Sequence, residues 1–227
     1  CNCVIGDDFA ALLAAIRDAD AVIIASPVYF LGMNTHLKLV CDRLIAVLNE
    51  ADSYTGRRCV VAVPYGVEGW RGFGVEATVS FARFLHLEVV GVLPVHAANP
   101  GEAARSEILA AARSLAGNLL AVGLADCAVH VIQAQQRDEL VCPFCGSGLL
   151  RMTSGSVVRC GLCDARGRLT DAEKGLLRCH WEAPEHLRFS PQGMKEHGER
   201  LENIKQEFLA RRSELSLVRT PYRKLEW

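Results

Sequence analysis

Asp18 to Arg43 reads DADAVIIASPVYFLGMNTHLKLVCDR, and the fold follows from how this stretch is parsed. The apolar run Ala21 to Ala25, bounded by Asp20 and by Ser26-Pro27, predicts a parallel strand buried on both faces. An exposed loop carrying Tyr29 and Phe30 follows. Asn34 or Thr35 then caps a predicted helix whose apolar positions are Leu37, Val40, Cys41, Leu44, Ile45 and Leu48. In open α/β sheets ligands sit at the carboxyl ends of strands, so the loop after Ala25 is a candidate binding loop.

Two further units repeat the pattern. Cys59 to Val63 predicts a second buried strand ending at Pro64, followed by the glycine-rich loop Pro64 to Gly74 and a helix to about Leu87. Glu88 to Leu93 predicts a third strand. Asn99, Pro100 and Glu102 form a helix-start signal, with the helix running to Gly123. Upstream, Asp8 to Arg17 predicts a helix with Phe9, Leu12, Leu13 and Ile16 on one face. Strands alternating with helices and joined by right-handed crossovers give an α/β class with a doubly wound parallel sheet.

At these residues a family resemblance enters. Ser26-Pro27-Val28-Tyr29-Phe30, then Leu31-Gly32-Met33, Leu37-Lys38 and Asp42-Arg43, resembles the flavin loop of flavodoxin-like NAD(P)H-dependent FMN reductases, including iron–sulfur flavoproteins and related quinone reductases. The match runs from about Asp7 to Val92. It implies that Ser26 to Met33 lie against the FMN ring and that Tyr65, Gly66, Val67 and Gly69 wrap its edge, with Glu76 matching a family glutamate. Leu31-Gly32, Tyr65 and Val67 stand where smaller residues are usual. His96 lies close to the carboxyl end of the third strand, where it either faces the substrate or nicotinamide side of the flavin or is an ordinary surface histidine.

The family also places a first strand, a phosphate-binding loop, a helix and a second strand before a cysteine cluster and a DD-x-apolar motif. Cys3-Val4-Ile5-Gly6-Asp7-Asp8-Phe9 matches the end of that cluster. The resemblance therefore implies elements upstream of Cys1, among them the central strand, whose removal is expected to open two ladder edges. Cys1 and Cys3 are either two ligands of an iron–sulfur cluster completed upstream or incidental thiols.

A second module is expected from Cys127, opening with a strand over Ala128 to Ile132. Within it Cys142, Cys145, Cys160 and Cys163 form two CxxC knuckles separated by 14 residues. Four sulfurs on two facing turns suit a tetrahedral metal site, and the segment resembles a zinc ribbon with a hairpin turn at Ser154-Gly155-Ser156. Zn²⁺ is the expected ion. A rubredoxin-like iron site is the alternative, disfavoured because the aromatic after the first knuckle and the proline of the second are absent. Separate cores predict that Cys160→Ser unfolds the ribbon and leaves flavin affinity largely intact.

The remaining cysteines Cys41, Cys59 and Cys127 fall at apolar positions and read as small buried hydrophobes. Cys179-His180 with His186 nearby lacks a completing pair. From Met194 the chain turns polar around a narrow stripe of Leu201, Ile204, Phe208 and Leu215, which needs a surface to cover it. Residues 1–126, 127–178 and 179–227 are thus read as flavodoxin-like domain, zinc ribbon, and C-terminal loop, helix and tail.

Composition bounds the function. The 227 residues carry a formal net charge of −1, which gives no electrostatic reason to expect nucleic acid or an acidic membrane as partner. No stretch approaches the roughly 18 apolar residues of a membrane span. Ten cysteines without an export signal point to a reducing, cytoplasmic setting. The expected activity is transfer of electrons from NAD(P)H through FMN to a quinone, a small acceptor or a protein, in a homo-oligomer. The alternatives are an iron–sulfur electron carrier holding a [4Fe-4S] cluster, and a scaffold whose flavin site has decayed.

Overall fold

The computed structural model describes residues 5–99, 101–120, 140–171, 177–182, 188 and 190–220. Strands β1 (Ala21–Ala25), β4 (Arg58–Tyr65) and β5 (Glu88–His96) form a parallel sheet in the order β1-β4-β5. The runs of β4 and β5 are buried from both sides, as parallel sheets require, whereas β1, expected to be buried on both faces, buries only Ile24 and leaves Ile23 exposed because nothing among the described residues covers that flank. On one face Leu13 of α1 (Phe9–Asp18), Leu44, Tyr54 and Leu85 close over Val61 and Val63. On the other, Val60, Val90, Leu93 and Val95 meet Leu115 of α4 (Ser106–Leu120). The doubly wound arrangement is thereby observed.

Several boundaries differ from expectation, each for a local reason. β4 continues through Pro64 and β5 through Pro94. The Ser26 N–H bonds to the Ala62 carbonyl as β1 ends, so the missing N–H of Pro64 falls where no neighbour remains. The Ala97 N–H points at Tyr65, and by alternation Pro94 directs its missing donor toward the open edge of β5. Asn34 caps α2 (Thr35–Arg43) by accepting from Leu37 N–H at 3.0 Å, but the helix tightens into a 3₁₀ segment over Leu44–Ser53. That change buries Val47 and turns Ile45 outward. The Asn99 start signal yields only a 3₁₀ turn at Glu102–Ala104, with the Glu102 carboxylate accepting from the Ala98 and Asn99 N–H groups, and α4 begins later at Ser106. Leu12, expected on the buried face of α1, is exposed.

β1 and β4 pair directly, so among the described residues one ladder edge of β1 is open, not two. Ile23 on that edge is 69% exposed. Cys1, Cys3, Cys127, the predicted strand Ala128 to Ile132, His186 and the tail from Pro221 lie outside the described residues.

The second module is an antiparallel sheet in the order β6-β7-β8-β9, formed by Leu150–Ser154, Val157–Cys160, Arg166–Asp171 and Leu177–Trp181. Its first hairpin turns at the predicted place. Helix α5 (Pro191–Ala210) starts at Ser190, whose hydroxyl accepts from Gly193 N–H at 3.0 Å, and buries Met194. Leu201 sits in a cleft with Ile45 and Leu48, so part of the predicted stripe packs within the chain. Ile204 and Phe208 remain exposed, as does Leu217 of α6 (Arg212–Arg219). No described helix is long and apolar enough to cross a membrane.

Candidate functional site

The loop after β1 is a tight hairpin. Strand β2 (Val28–Tyr29) pairs with β3 (Gly32–Met33), setting Val28 opposite Met33 and Tyr29 opposite Gly32. The two residues at its tip, Phe30 and Leu31, have φ of 48° and 65°. Positive φ at both central positions is the geometry that Asn-Gly normally supplies, so Phe-Leu is strained here. Phe30 is 99% exposed, so its side chain has no packing among the described residues to offset the strain at that position. The base of the loop is firm. Ser26 is buried, and its Oγ accepts from Asn34 Nδ2 at 3.0 Å, so Asn34 caps α2 and ties the two ends of the loop together.

The second loop is stitched to the first. The Phe73 N–H donates to the Leu31 carbonyl at 2.8 Å. Gly72, at φ 54°, comes so close that a Cβ there lies 2.2 Å from the Leu31 oxygen. Only glycine fits. Val67, Trp70 and Phe73 are exposed on this loop as Tyr29 and Phe30 are on the other, which leaves an aromatic rim at the carboxyl ends of β1 and β4. Tyr65 stacks on His96, with centroids 5.3 Å apart and planes 22° from parallel, so His96 is partly occupied by that contact.

The loops and the second module share a cleft of about 470 Å³, lined by Leu31, Arg71, Phe73 and Glu76 from one side and Leu140 and Leu149 from the other. Glu76 Oε2 is buried with no hydrogen-bond partner among the described residues, on the helix α3 (Gly74–Phe84) that follows the second loop. The two loops meet through Leu31 at Gly72 and Phe73, and of the loop residues expected against the flavin only Leu31 lines this cleft. The cleft adds Arg71, Phe73 and Leu149, which no motif singled out.

Cys142, Cys145, Cys160 and Cys163 converge with all four Sγ atoms within 4.8 Å of one another, and all four are buried. The Cys142–Cys163 and Cys145–Cys160 separations are 3.5 and 3.4 Å. Disulfides need about 2.05 Å, whereas thiolates on a tetrahedral ion with bonds of about 2.3 Å sit about 3.8 Å apart. The donor set fits a metal. The two knuckles are built alike: Gly146 N–H donates to the Cys142 carbonyl and Cys142 N–H to Ser147, while Asp164 N–H donates to Cys160 and Cys160 N–H to Ala165. The residue needing positive φ after each pair is Gly146 in one and Asp164 in the other. Gly161 has a different role, because Leu149 packs where its side chain would be. Hydrogen bonding among the four sulfurs pulls the Cys142 and Cys160 thiols down and pushes Cys145 and Cys163 up.

The other thiols carry no such signal. Burial pushes Cys59 up to about 12 and Cys41 up to about 11, which makes both inert. Cys179 and His180 are successive strand residues facing opposite sides of β9, so they do not form a joint site.

Residues 1–100 match the family described as NADPH-dependent FMN reductase. Among solved structures, one titled flavone reductase aligns over 98% of this chain and 83% of its own, with 19% identity and a TM-score of 0.71. Another, the Trp repressor binding protein from Bacillus subtilis, aligns over 51% of this chain and 70% of its own, with 20% identity and a TM-score of 0.40. No curated protein matches the chain.

Proposed function

We propose, from a chain whose residues 1–100 match the NADPH-dependent FMN reductase family, an NAD(P)H-dependent flavin oxidoreductase that passes electrons to a quinone, another small acceptor or a protein. The observation that carries this reading is the strained tip at Phe30 and Leu31, locked to Gly72 and Phe73 beneath an exposed aromatic rim. Strain carried by an exposed residue such as Phe30 points to a surface that meets a ligand. A flat, apolar ring system with polar edges suits that surface. Bound FMN supplies hydride and single-electron chemistry.

The roles of the chain's own residues follow from this placement. Pro27 to Leu31 offer one face to the ring, and Tyr65 to Gly69 approach its edge with backbone donors. The cleft of Leu31, Phe73, Glu76 and Leu149 receives the second substrate and excludes water from it. The four cysteines hold one structural Zn²⁺, closed to further ligands. The exposed residues Ile204, Phe208 and Leu217 support a contact between copies of the chain.

The test is direct. Purified protein is expected to release stoichiometric FMN on denaturation, to bleach in the flavin bands when NAD(P)H is added without oxygen, and to contain one zinc per chain. A colourless protein that takes up no FMN overturns the oxidoreductase reading. Stoichiometric iron in place of zinc makes the cysteine site a redox centre.

A further inference from the structure

The outer face of the second module carries a ladder of arginines that the flavin reading leaves unused. Arg151 lies directly opposite Arg159, and Arg159 directly opposite Arg166, so three guanidinium groups stand in register on β6, β7 and β8. Arg168 lies two residues beyond Arg166 on the same face, opposite His180. All are exposed. Like charges placed directly opposite one another cost stability, and defence of an open sheet edge requires charge only on edge strands, whereas β7 and β8 are interior. The arrangement therefore answers to a ligand.

These side chains enclose a cleft of about 600 Å³, lined by Arg151, Arg159, Arg166 and Arg188 together with Thr153, Cys160, Gly161 and Asp164. Asp164 is the single carboxylate there and pairs with Arg159 at 3.3 Å. Arg188 donates to the Leu162 carbonyl at 2.7 Å, which fixes it at the rim. Arg151 and Arg166 have no ion pair among the described residues. Every cation in the lining is arginine, whose planar fork matches the oxygens of a phosphate. No large apolar side chain lines the cleft, which is unlike the centre of a protein–protein interface.

The two clefts are neighbours. Leu149 lines the flavin-side cleft, and its carbonyl accepts the N–H of Gly161, which lines the arginine cleft, at 2.7 Å. A backbone hydrogen bond thus joins the lining of the pocket beside the flavin loops to that of the cationic cleft. A dinucleotide, with a flat nicotinamide ring at one end and a pyrophosphate and a ribose phosphate further along, has the chemistry for such a pair.

We propose that the arginine cleft binds the phosphate groups of NADPH, the 2′-phosphate above all, while the nicotinamide enters the cleft of Leu31 and Phe73. This rests on the flavin-oxidoreductase reading and adds that the second module confers preference for NADPH over NADH. NADH has the pyrophosphate but lacks the 2′-phosphate, so the extra dianion is what the ladder discriminates.

The experiment compares kcat/KM for NADPH and NADH in the FMN-loaded full chain and in Arg159→Gln and Arg166→Gln. The ratio of the two constants is expected to fall at least about tenfold in each variant, through KM, as loss of a charge-assisted phosphate contact predicts. A ratio that does not change overturns the proposal. In parallel, 2′,5′-ADP is titrated calorimetrically into the same proteins, a measurement independent of flavin. Binding by the native chain that weakens in both variants supports the site even if flavin reduction fails. Absence of binding, or tripolyphosphate or random-sequence duplex DNA binding more tightly than 2′,5′-ADP, overturns it in favour of no site or of a general polyanion surface.

Discussion

Arg83 and Cys145 are electrostatic neighbours: burial pushes the Arg83 pKa down, and a thiolate at Cys145 pushes it back up. The Arg83 Nε and Nη2 are buried and have no hydrogen-bond partner among the described residues. Glu76 lies two turns away on α3, and no ion pair joins it to Arg83 among the described residues. A buried cation facing four neutral thiols is unfavourable, whereas facing four thiolates around a divalent ion, with net charge −2, it is compensated. With a divalent ion bound by the four cysteines, Arg83 on α3 would serve as its counter-charge.

Arg83→Met is expected to lower metal affinity about 10- to 100-fold, the usual effect of removing an outer partner of the ligands. The metal-free protein should respond oppositely, with an unchanged or higher Tm, because an uncompensated charge has gone. Chelator titration and thermal melts with and without chelator measure both. Equal destabilisation of both forms would mean that Arg83 only packs.

Gly72→Ala should separate the two loops. The new Cβ would meet the Leu31 oxygen at 2.2 Å while φ stays at 54°. The dihedral alone costs about 1–3 kcal/mol, and relieving the clash displaces Phe73. A lower Tm together with FMN loss on dialysis is the expected result; retention of both shows that the loops tolerate separation.

Leu31→Gly tests the strain itself. Glycine adopts φ 65° without penalty, so the flavin-free protein should gain about 1 kcal/mol. Flavin affinity should fall as the apolar contact disappears. Denaturant melts of the flavin-free form and fluorescence titration with FMN read the two effects, and a gain in both would remove Leu31 from the ring contact.

What the sequence made legible was whatever local physics dictates. Val and Ile runs announced β1, β4 and β5, although β1 leaves Ile23 exposed where burial on both faces was expected, and the CxxC spacing announced the sulfur cluster. Pro64 and Pro94 were misread as strand ends because their tolerance depends on where the neighbouring strand stops, which is tertiary information. Arg83 could not be found from its surroundings in the chain, since its partners belong to another module. The arginine ladder was hidden for a related reason: a net charge of −1 averages over the chain, and only strand register collects Arg151, Arg159 and Arg166 on one face.

His86 supplies the last prediction. It follows the C-cap of α3 with φ of 54°, and the next N–H, from Leu87, reaches back to the Ala82 carbonyl at 3.1 Å. This is a Schellman ending, in which glycine is the usual residue at the histidine's position. Its Nε2 is buried without a partner, and burial pushes the imidazole below its ordinary 6.5. The folded state therefore binds the proton less readily than the unfolded chain. The contribution of this group is complete above pH 6.5 and is lost as the pH falls through the lower folded value. His86→Gly relieves the dihedral and removes the titrating group together. It should gain about 1 kcal/mol at neutral pH and flatten the stability profile below pH 6.5, so that the advantage over the native chain widens with acidification. Denaturant melts at a series of pH values measure it; a constant difference across the series would show that His86 does not titrate with folding.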